Sequence, residues 1–455
     1  MRRPFILFAT GAPALCAIAV ALFVFALPPA QKGTQLADRV WSVRPDHSLS
    51  GIGEYLTVRI AVLGPGDELY FWWGHIALVI DDARTGESLF FDYGQFSFGQ
   101  ENFFLNFALG RLYYGIGVSN TAANFAQYAR DNRDVTVYTL DLPPDAREMI
   151  LRQAQWDVLP GNNVYLYHHF RQNCATPIIN IIDMATDGQF SERFAAEPGR
   201  FTLREQIRRH MWHSPLIDWA LNFLMGQGID EPIYAWDEMF LPSEVGRNIA
   251  GFEYLDPAGE RRALVSRRED ISVSSGRPQV LQSPPSHWPG PFALGMGLAL
   301  LVCALSFARS RAGGFPAFAR AALGTGHALF GLAFGGASLA LFFLALFTDH
   351  DYTFANANMI FASPLLFALV PLGIRMAALR DEDRRMRAEI WARSLWLLVA
   401  LGILASMLIK LSAGFWQDNL AQQLLMLPVA LALAFEPAGL KKIADFIGSS
   451  KGQKG

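Results

Sequence analysis

Cysteine is almost missing from this chain: there are three in 455 residues. Cys16 and Cys303 lie inside apolar runs, so neither readily reaches Cys174 to form a disulfide. There is no glycine-rich phosphate loop and no metal-ligand spacing, which excludes the common nucleotide and metal motifs; no cofactor and no metal are expected. Charge of one sign is also lacking. With a formal net charge of -3 there is no basic surplus to hold nucleic acid, and that class of partner is excluded. No internal repeat and no low-complexity tract is present. What the chain has instead is apolar bulk: 52% of residues are hydrophobic, and they are gathered into runs.

A bilayer-spanning helix needs about 20 mostly apolar residues. Six stretches qualify, at about 4–27, 291–308, 322–347, 357–374, 394–412 and 419–436. Cytoplasmic loops carry the excess of Lys and Arg. Arg2 and Arg3, then Arg309, Arg311 and Arg320, then the six arginines from Arg375 to Arg393, then Lys441, Lys442, Lys451 and Lys454 all fall on one side of such an arrangement. Residues 30–289 are left on the other, outside the cytoplasm. The expected organisation is an N-terminal anchor over 1–29, or a cleaved signal peptide ending near Ala26-Leu-Pro-Pro-Ala30. A periplasmic domain over 30–273, a Ser/Pro-rich linker over 274–290, a five-span membrane domain over 291–440 and a cytoplasmic tail over 441–455 follow. Leu15 stands before Cys16 where lipid attachment would call for a small residue. The whole reads as a multi-pass membrane protein with its large polar segment outside the cytoplasm.

Inside the polar domain, Tyr55–Val62, Ile76–Ile80, Ser88–Asp92 and Val135–Leu140 are short β-branched or aromatic runs and read as strands. Thr121–Arg130, Pro144–Val158, Ala175–Met184 and Leu203–Leu224 carry helical periodicity. An α+β domain is expected.

The thiol outside the apolar runs is Cys174, in Tyr165-Leu-Tyr-His-His-Phe-Arg-Gln-Asn-Cys-Ala-Thr-Pro177. A free thiol in an oxidising compartment is a liability unless its chemistry is used; otherwise it is a small buried hydrophobe. Asn173 suits a helix N-cap, which would put Cys174 in the first turn, where the positive end of the helix dipole favours the thiolate. His75, following Gly74 at the start of a strand, is the expected base, although a strand-end histidine also serves structure alone. The turn Asp82-Ala-Arg-Thr-Gly86 folds the next strand back, bringing Asp92 and Tyr93 near His75 and making Asp92 the expected orienter of the ring. His168 and His169 flank the thiol but read as solvated or structural residues. His210 and His213 have no partner at zinc-ligand spacing.

These motifs together, Gly74-His75 before a strand, Phe91-Asp-Tyr-Gly-Gln-Phe96, the Cys174 segment and Phe240-Leu-Pro242, resemble the periplasmic domain of the Lnb-type bacterial lipoprotein N-acyltransferases. His350, Asn356-Ala-Asn358 and the Pro364 run extend the likeness into the membrane part. Pro177 stands where that family has a basic residue. The resemblance implies a permuted papain-like thiol domain, with the histidine ahead of the cysteine in sequence as in lecithin:retinol acyltransferase-like enzymes. It also implies transfer of an acyl group from a membrane phospholipid or diacylglyceryl group, through a thioester, to the terminal amine of a lipoprotein. Trp73, Tyr93, Asn173, His350, Asn356 and Asn358 are then expected to contact substrate, although His350, Asn356 and Asn358 equally suit capping of the spans, and the aromatics Phe96, Phe98, Phe103, Phe104 and Phe107 suit acyl chains. The residues alone leave two other readings open: a periplasmic thiol hydrolase of cell wall or protein, and a non-enzymatic membrane assembly protein.

Overall fold

The computed structural model describes residues 48–99, 101–310, 316–412 and 415–436. The expected span at 4–27, with Cys16, and the expected tail at 441–455 lie outside the described residues. The described chain divides into two compact units. Residues up to His213 and Glu231–Pro285 form one; Ser214–Asp230 and the residues from Ser286 onward form the other.

The first unit is α+β. Its strands are β1 (Leu56–Leu63), β2 (His75–Asp82), β3 (Glu87–Gln95), β4 (Leu112–Asn120), β5 (Val135–Leu140), β6 (Val164–Tyr167), the short hairpin β7 (Glu253–Leu255) and β8 (Arg261–Ala263), and β9 (Val265–Ser272). Seven of them make one antiparallel sheet in the order β6-β4-β3-β2-β1-β5-β9. Side-chain alternation sends Leu56, Val58, Ile60, Ile76, Leu78 and Ile80 to one face, into a core shared with the helices Pro144–Asp157, Ala175–Ala185 and Pro242–Ala250. Ala61, Leu63, Ala77, Val79 and Phe90 face the other way and are covered by Phe125 and Tyr128 of the helix Thr121–Arg130. With both faces covered, β2 reads in sequence as the unbroken apolar run Ile76–Ile80.

All four expected strands are present, and three more complete the sheet. β4 carries Gly115 and Gly117, which weaken a strand signal. β9 runs Val-Ser-Arg-Arg-Glu-Asp-Ile-Ser at the sheet edge, where charge is what protects an exposed strand from pairing further. The expected helix Leu203–Leu224 is two, Leu203–Met211 and Pro215–Leu224. Pro215 has no N–H for a helix interior but fits the first turn of a new helix.

The second unit is helical. Pro289–Ser310, Pro316–Phe347 and Glu382–Ile409 are each long and apolar enough to cross a membrane, and Leu420–Phe435 is apolar but shorter. The stretch expected as a span at 357–374 is not one helix. It is broken into the 3-10 turns Ala357–Ile360 and Pro364–Ala368, followed by the helix Leu369–Ala378. Polar side chains cause the break. Asn356 Nδ2 donates to the carbonyls of Phe223 and Leu224, both at 3.0 Å, and Asn358 Nδ2 donates to Phe223 at 2.9 Å. They thereby satisfy the carbonyls that end the helix Pro215–Leu224. Irregular backbone in an apolar setting persists when it is enclosed by protein, and Ala357 to Ala362 are all buried. At one end of this unit Arg309, Glu389, Arg393 and Glu436 form a buried ion cluster, with Arg309 to Glu389 at 3.0 Å and Arg393 bonded to both Glu389 and Glu436. His327 Nδ1 accepts from Trp396 Nε1 at 2.9 Å, joining two helices.

Candidate active site

Gly74 turns the chain into β2 with φ of 78°, a conformation that costs any other residue its Cβ contacts, and a Cβ there would also stand 2.8 Å from the Leu63 carbonyl. His75 follows as the first residue of β2. The β2–β3 register pairs Ala77 with Asp92, so His75 and Asp92 project from the same side of the sheet end. His75 Nε2 donates to Asp92 Oδ1 at 2.8 Å, and the same oxygen accepts from Gly94 N–H at 2.9 Å. The Gln95 side chain gives Asp92 a further hydrogen bond.

Between Asp92 and Gln95 the pairing with β4 slips, since Asp92 faces Gly117 while Gln95 faces Gly115. That bulge turns the strand at the site. It also makes Gly94 the point where histidine and cysteine meet: a Cβ on Gly94 would stand 2.7 Å from His75 Cε1, 3.4 Å from His75 Nδ1 and 3.3 Å from Cys174 Cβ. With Nε2 committed to Asp92, the Cε1–Nδ1 edge of the ring is the one that reaches Gly94, beside Cys174 Cβ. Cys174 is buried at the margin of the core, with 9% of its surface exposed, and the His75 side chain keeps 13%.

The hairpin that delivers the thiol is closed by paired backbone bonds between His168 and Gln172. Asn173 then clamps the turn. Its Nδ2 donates to the carbonyls of His169 and Phe240, each at 2.8 Å, and its Oδ1 accepts from Ala175 N–H at 2.9 Å. The helix begins at Ala175, so Cys174 stands at the cap position and not within the first turn. Asn173 is buried, and its side-chain amide is bonded to the chain on both sides of the cysteine and to Phe240.

Electrostatics bind these groups together. Burial disfavours a charged His75, yet the Asp92 carboxylate, the negative charge of Cys174, Tyr128 and the Asp92 hydrogen bond outweigh it and hold the ring well above the ordinary histidine range. Burial likewise opposes ionisation of Asp92, and His75 together with the hydrogen bonds from Gly94 and Gln95 brings it below the usual range. Three tyrosines of β4 and β6 feel the sulfur as well. Burial first and Cys174 second push Tyr114 up to about 12 and Tyr165 and Tyr167 well above the ordinary phenol. None of the three was singled out in the sequence as a site residue. Tyr165 and Tyr167 lie within the Cys174 segment, but placing Tyr114 beside it requires β4 to pair with β6, which no local pattern announces.

The remaining expected contacts divide. Trp73 is half-buried, and its Nε1 has no hydrogen-bond partner. Tyr93 is fully buried with its hydroxyl donating to Asp157 at 2.9 Å, and strand alternation points it into the core. Asn356 and Asn358 are fully buried helix-ending donors, as described above. His350 shapes the turn before Thr353, whose hydroxyl donates to the His350 carbonyl at 2.7 Å. Burial lowers His210 to about 4, its Nδ1 bonded to the Gln206 carbonyl. Among the described residues no cluster of His, Cys, Asp or Glu is arranged to hold a metal. Beside the site, Phe96 packs against Tyr114 at 5.1 Å and leads through Phe98 and Phe103 to an exposed aromatic surface that includes Phe104 and Phe107.

Residues 53–209 match the family model described as the Lnb N-terminal periplasmic domain, a stretch that contains His75, Asp92 and Cys174. No curated protein and no solved structure matches the chain. The family match relates the α+β unit to the Lnb family, and the long apolar helices that follow fit a membrane protein carrying a periplasmic domain.

Proposed function

We propose that this chain is a cysteine-dependent acyltransferase of the lipoprotein N-acyltransferase type, anchored in the bacterial inner membrane by six spans, with a permuted papain-like domain in the periplasm. The observation that carries the reading is the meeting of His75, itself bonded to Asp92, with Cys174 across Gly94. An imidazole beside a thiol can take its proton and so prepare the sulfur as a nucleophile.

In the first step the Cys174 sulfur attacks the carbonyl carbon of a glycerolipid ester. The new S–C bond forms, the carbonyl electrons move to oxygen, and on collapse the glyceryl oxygen leaves with a proton from His75. The acyl group is now a thioester. In the second step the free amine of a lipoprotein's N-terminal lipidated cysteine attacks that carbonyl, neutral His75 takes the proton, and the Cys174 thiolate departs as the amide forms. Asp92 keeps the ring oriented through both steps. The exposed aromatic surface next to Tyr114 gives acyl chains an apolar place to lie, and apolar helices in the same chain keep the domain near its lipid.

The test is to trap the intermediate. After mixing the full chain in detergent with phospholipid or diacylated lipopeptide, peptide mass spectrometry is expected to find an acyl group on Cys174 that hydroxylamine removes. Cys174→Ser is expected to abolish N-acylation of lipoproteins in cells while the protein remains folded and in the membrane. Lipoproteins that keep their N-acyl group under that substitution would sink the proposal.

A further inference from the structure

Attack on an ester makes the carbonyl oxygen negative, and that charge needs donors already in place. The helix start offers less than its position suggests, because Ala175 N–H is already bonded to Asn173 Oδ1. The Cys174 N–H remains on that side, and a further donor has to come from elsewhere.

The sheet supplies candidates. The β4–β6 register pairs Leu112 with Tyr167 and Tyr114 with Tyr165, so Tyr114, Tyr165 and Tyr167 project from one face, and all three pack in the cluster that contains Cys174. Tyr165 is committed: its hydroxyl donates to the Tyr93 carbonyl. Tyr114 and Tyr167 stack with ring centroids 4.0 Å apart and planes 19° from parallel. Neither phenol has a hydrogen-bond partner among the described residues. The stack holds both rings in fixed orientation with a hydroxyl to give.

We propose that Tyr114 and Tyr167 donate to the oxygen that becomes negative when Cys174 attacks an acyl ester, completing an oxyanion hole begun by the Cys174 N–H. The inference rests on the acyl-transfer reading of this site. Each phenol keeps its proton throughout: the S–C bond forms, the carbonyl electron pair moves to oxygen and is held by O–H donors, and the pair returns when the leaving oxygen departs with the His75 proton. Burial and the nearby sulfur charge keep both phenols protonated at neutral pH, as donation requires.

The experiment uses the full chain in detergent and two probes of the same sulfur. A p-nitrophenyl acyl ester reports acylation by the burst of nitrophenolate; iodoacetamide reports thiolate reactivity and passes through no oxyanion. Tyr114→Phe, Tyr167→Phe and the double variant remove only hydroxyls. Losing one oxyanion donor slows known enzymes by about 10²–10³-fold. The double variant is expected to slow the burst at least tenfold while alkylation stays within about twofold of the unaltered chain. A burst as fast as that of the unaltered chain overturns the inference, and so does alkylation that falls in parallel, since that marks a loss of fold or thiolate. If the unaltered chain forms no thioester at all, the acyl-transfer reading fails and this inference with it; if it does and the variants match it, only the tyrosines are wrong.

Discussion

His75 is stabilised in its charged form by partners that burial alone would not allow. Its value is held above the ordinary range, so the stabilisation it contributes is fully present below about 6.5, the unfolded value. That contribution is lost as pH rises through the raised value in the folded protein. Asp92 works in the opposite sense, contributing above its unfolded value and losing it as pH falls. Asp92→Asn keeps the shape and removes the charge. Burial then acts on His75 with less opposition, and its titration is expected to move downward; the imidazolium that supports the sulfur anion is lost, seen as slower alkylation of Cys174 by iodoacetamide near neutral pH that recovers as the pH is raised. Thioester formation near neutral pH is expected to slow by on the order of 10²–10⁴, the usual worth of a positioned acid or base. An unchanged pH profile would mean that Asp92 does not govern the ring. His75 and Cys174 were legible because their chemistry is rare in this sequence, and Asp92 because a short hairpin fixes which residues return beside the start of β2. The hydrogen bonds of Asn173 and Tyr93 were not, because they depend on contacts made far along the chain, with Phe240 and Asp157.

The bulge in β3 does what no single side chain could: it brings a residue without a Cβ between base and nucleophile. Gly94→Ala tests that element. The added carbon would meet the His75 ring at 2.7 Å and Cys174 Cβ at 3.3 Å, so the ring has to retreat. Overpacking of this kind costs about 1–3 kcal/mol, whereas a misplacement of about 1 Å at reacting groups slows reactions by about 10²-fold. The expected result is a modest fall in the thermal midpoint with a much larger fall in the acylation burst; equal burst rates would show that the glycine is not spacing the pair. The bulge itself was hidden in Phe91-Asp-Tyr-Gly-Gln-Phe96, since a slip in register shows only against its partner strand. The broken stretch at 357–378 was hidden for a related reason. Hydropathy counts the apolar residues there, but Asn356 and Asn358 are occupied with the carbonyls of the helix Pro215–Leu224, a partner more than a hundred residues away.

For the molecule as a whole, the open question is whether that broken stretch carries the chain across the bilayer. The ion cluster argues that it does. Arg309 ends the helix Pro289–Ser310, Glu389 and Arg393 lie near the start of Glu382–Ile409, and Glu436 follows Leu420–Phe435, so contact among them puts these ends at one side. Pro316–Phe347 leaves from that side and is long enough to cross. The expectation is that the segment from Ala357 to Ala378, two short turns and a helix, makes the return. The same ends are those the arginine clusters assign to the cytoplasm, an independent signal. Burying the cluster also makes it unforgiving, because removing one member leaves a buried charge unpaired at a cost of about 3–5 kcal/mol. Single-cysteine chains in a Cys16→Ala, Cys174→Ser, Cys303→Ala background decide the matter. With a membrane-impermeant maleimide on spheroplasts, Ser412→Cys is expected to label directly, and Ser310→Cys and Arg380→Cys only after the membrane is opened. Direct labelling at Arg380→Cys, with Ser310→Cys still protected, would mean that the broken stretch dips into the bilayer and returns to the outer face, which five-span packing and the shared ion cluster could not accommodate.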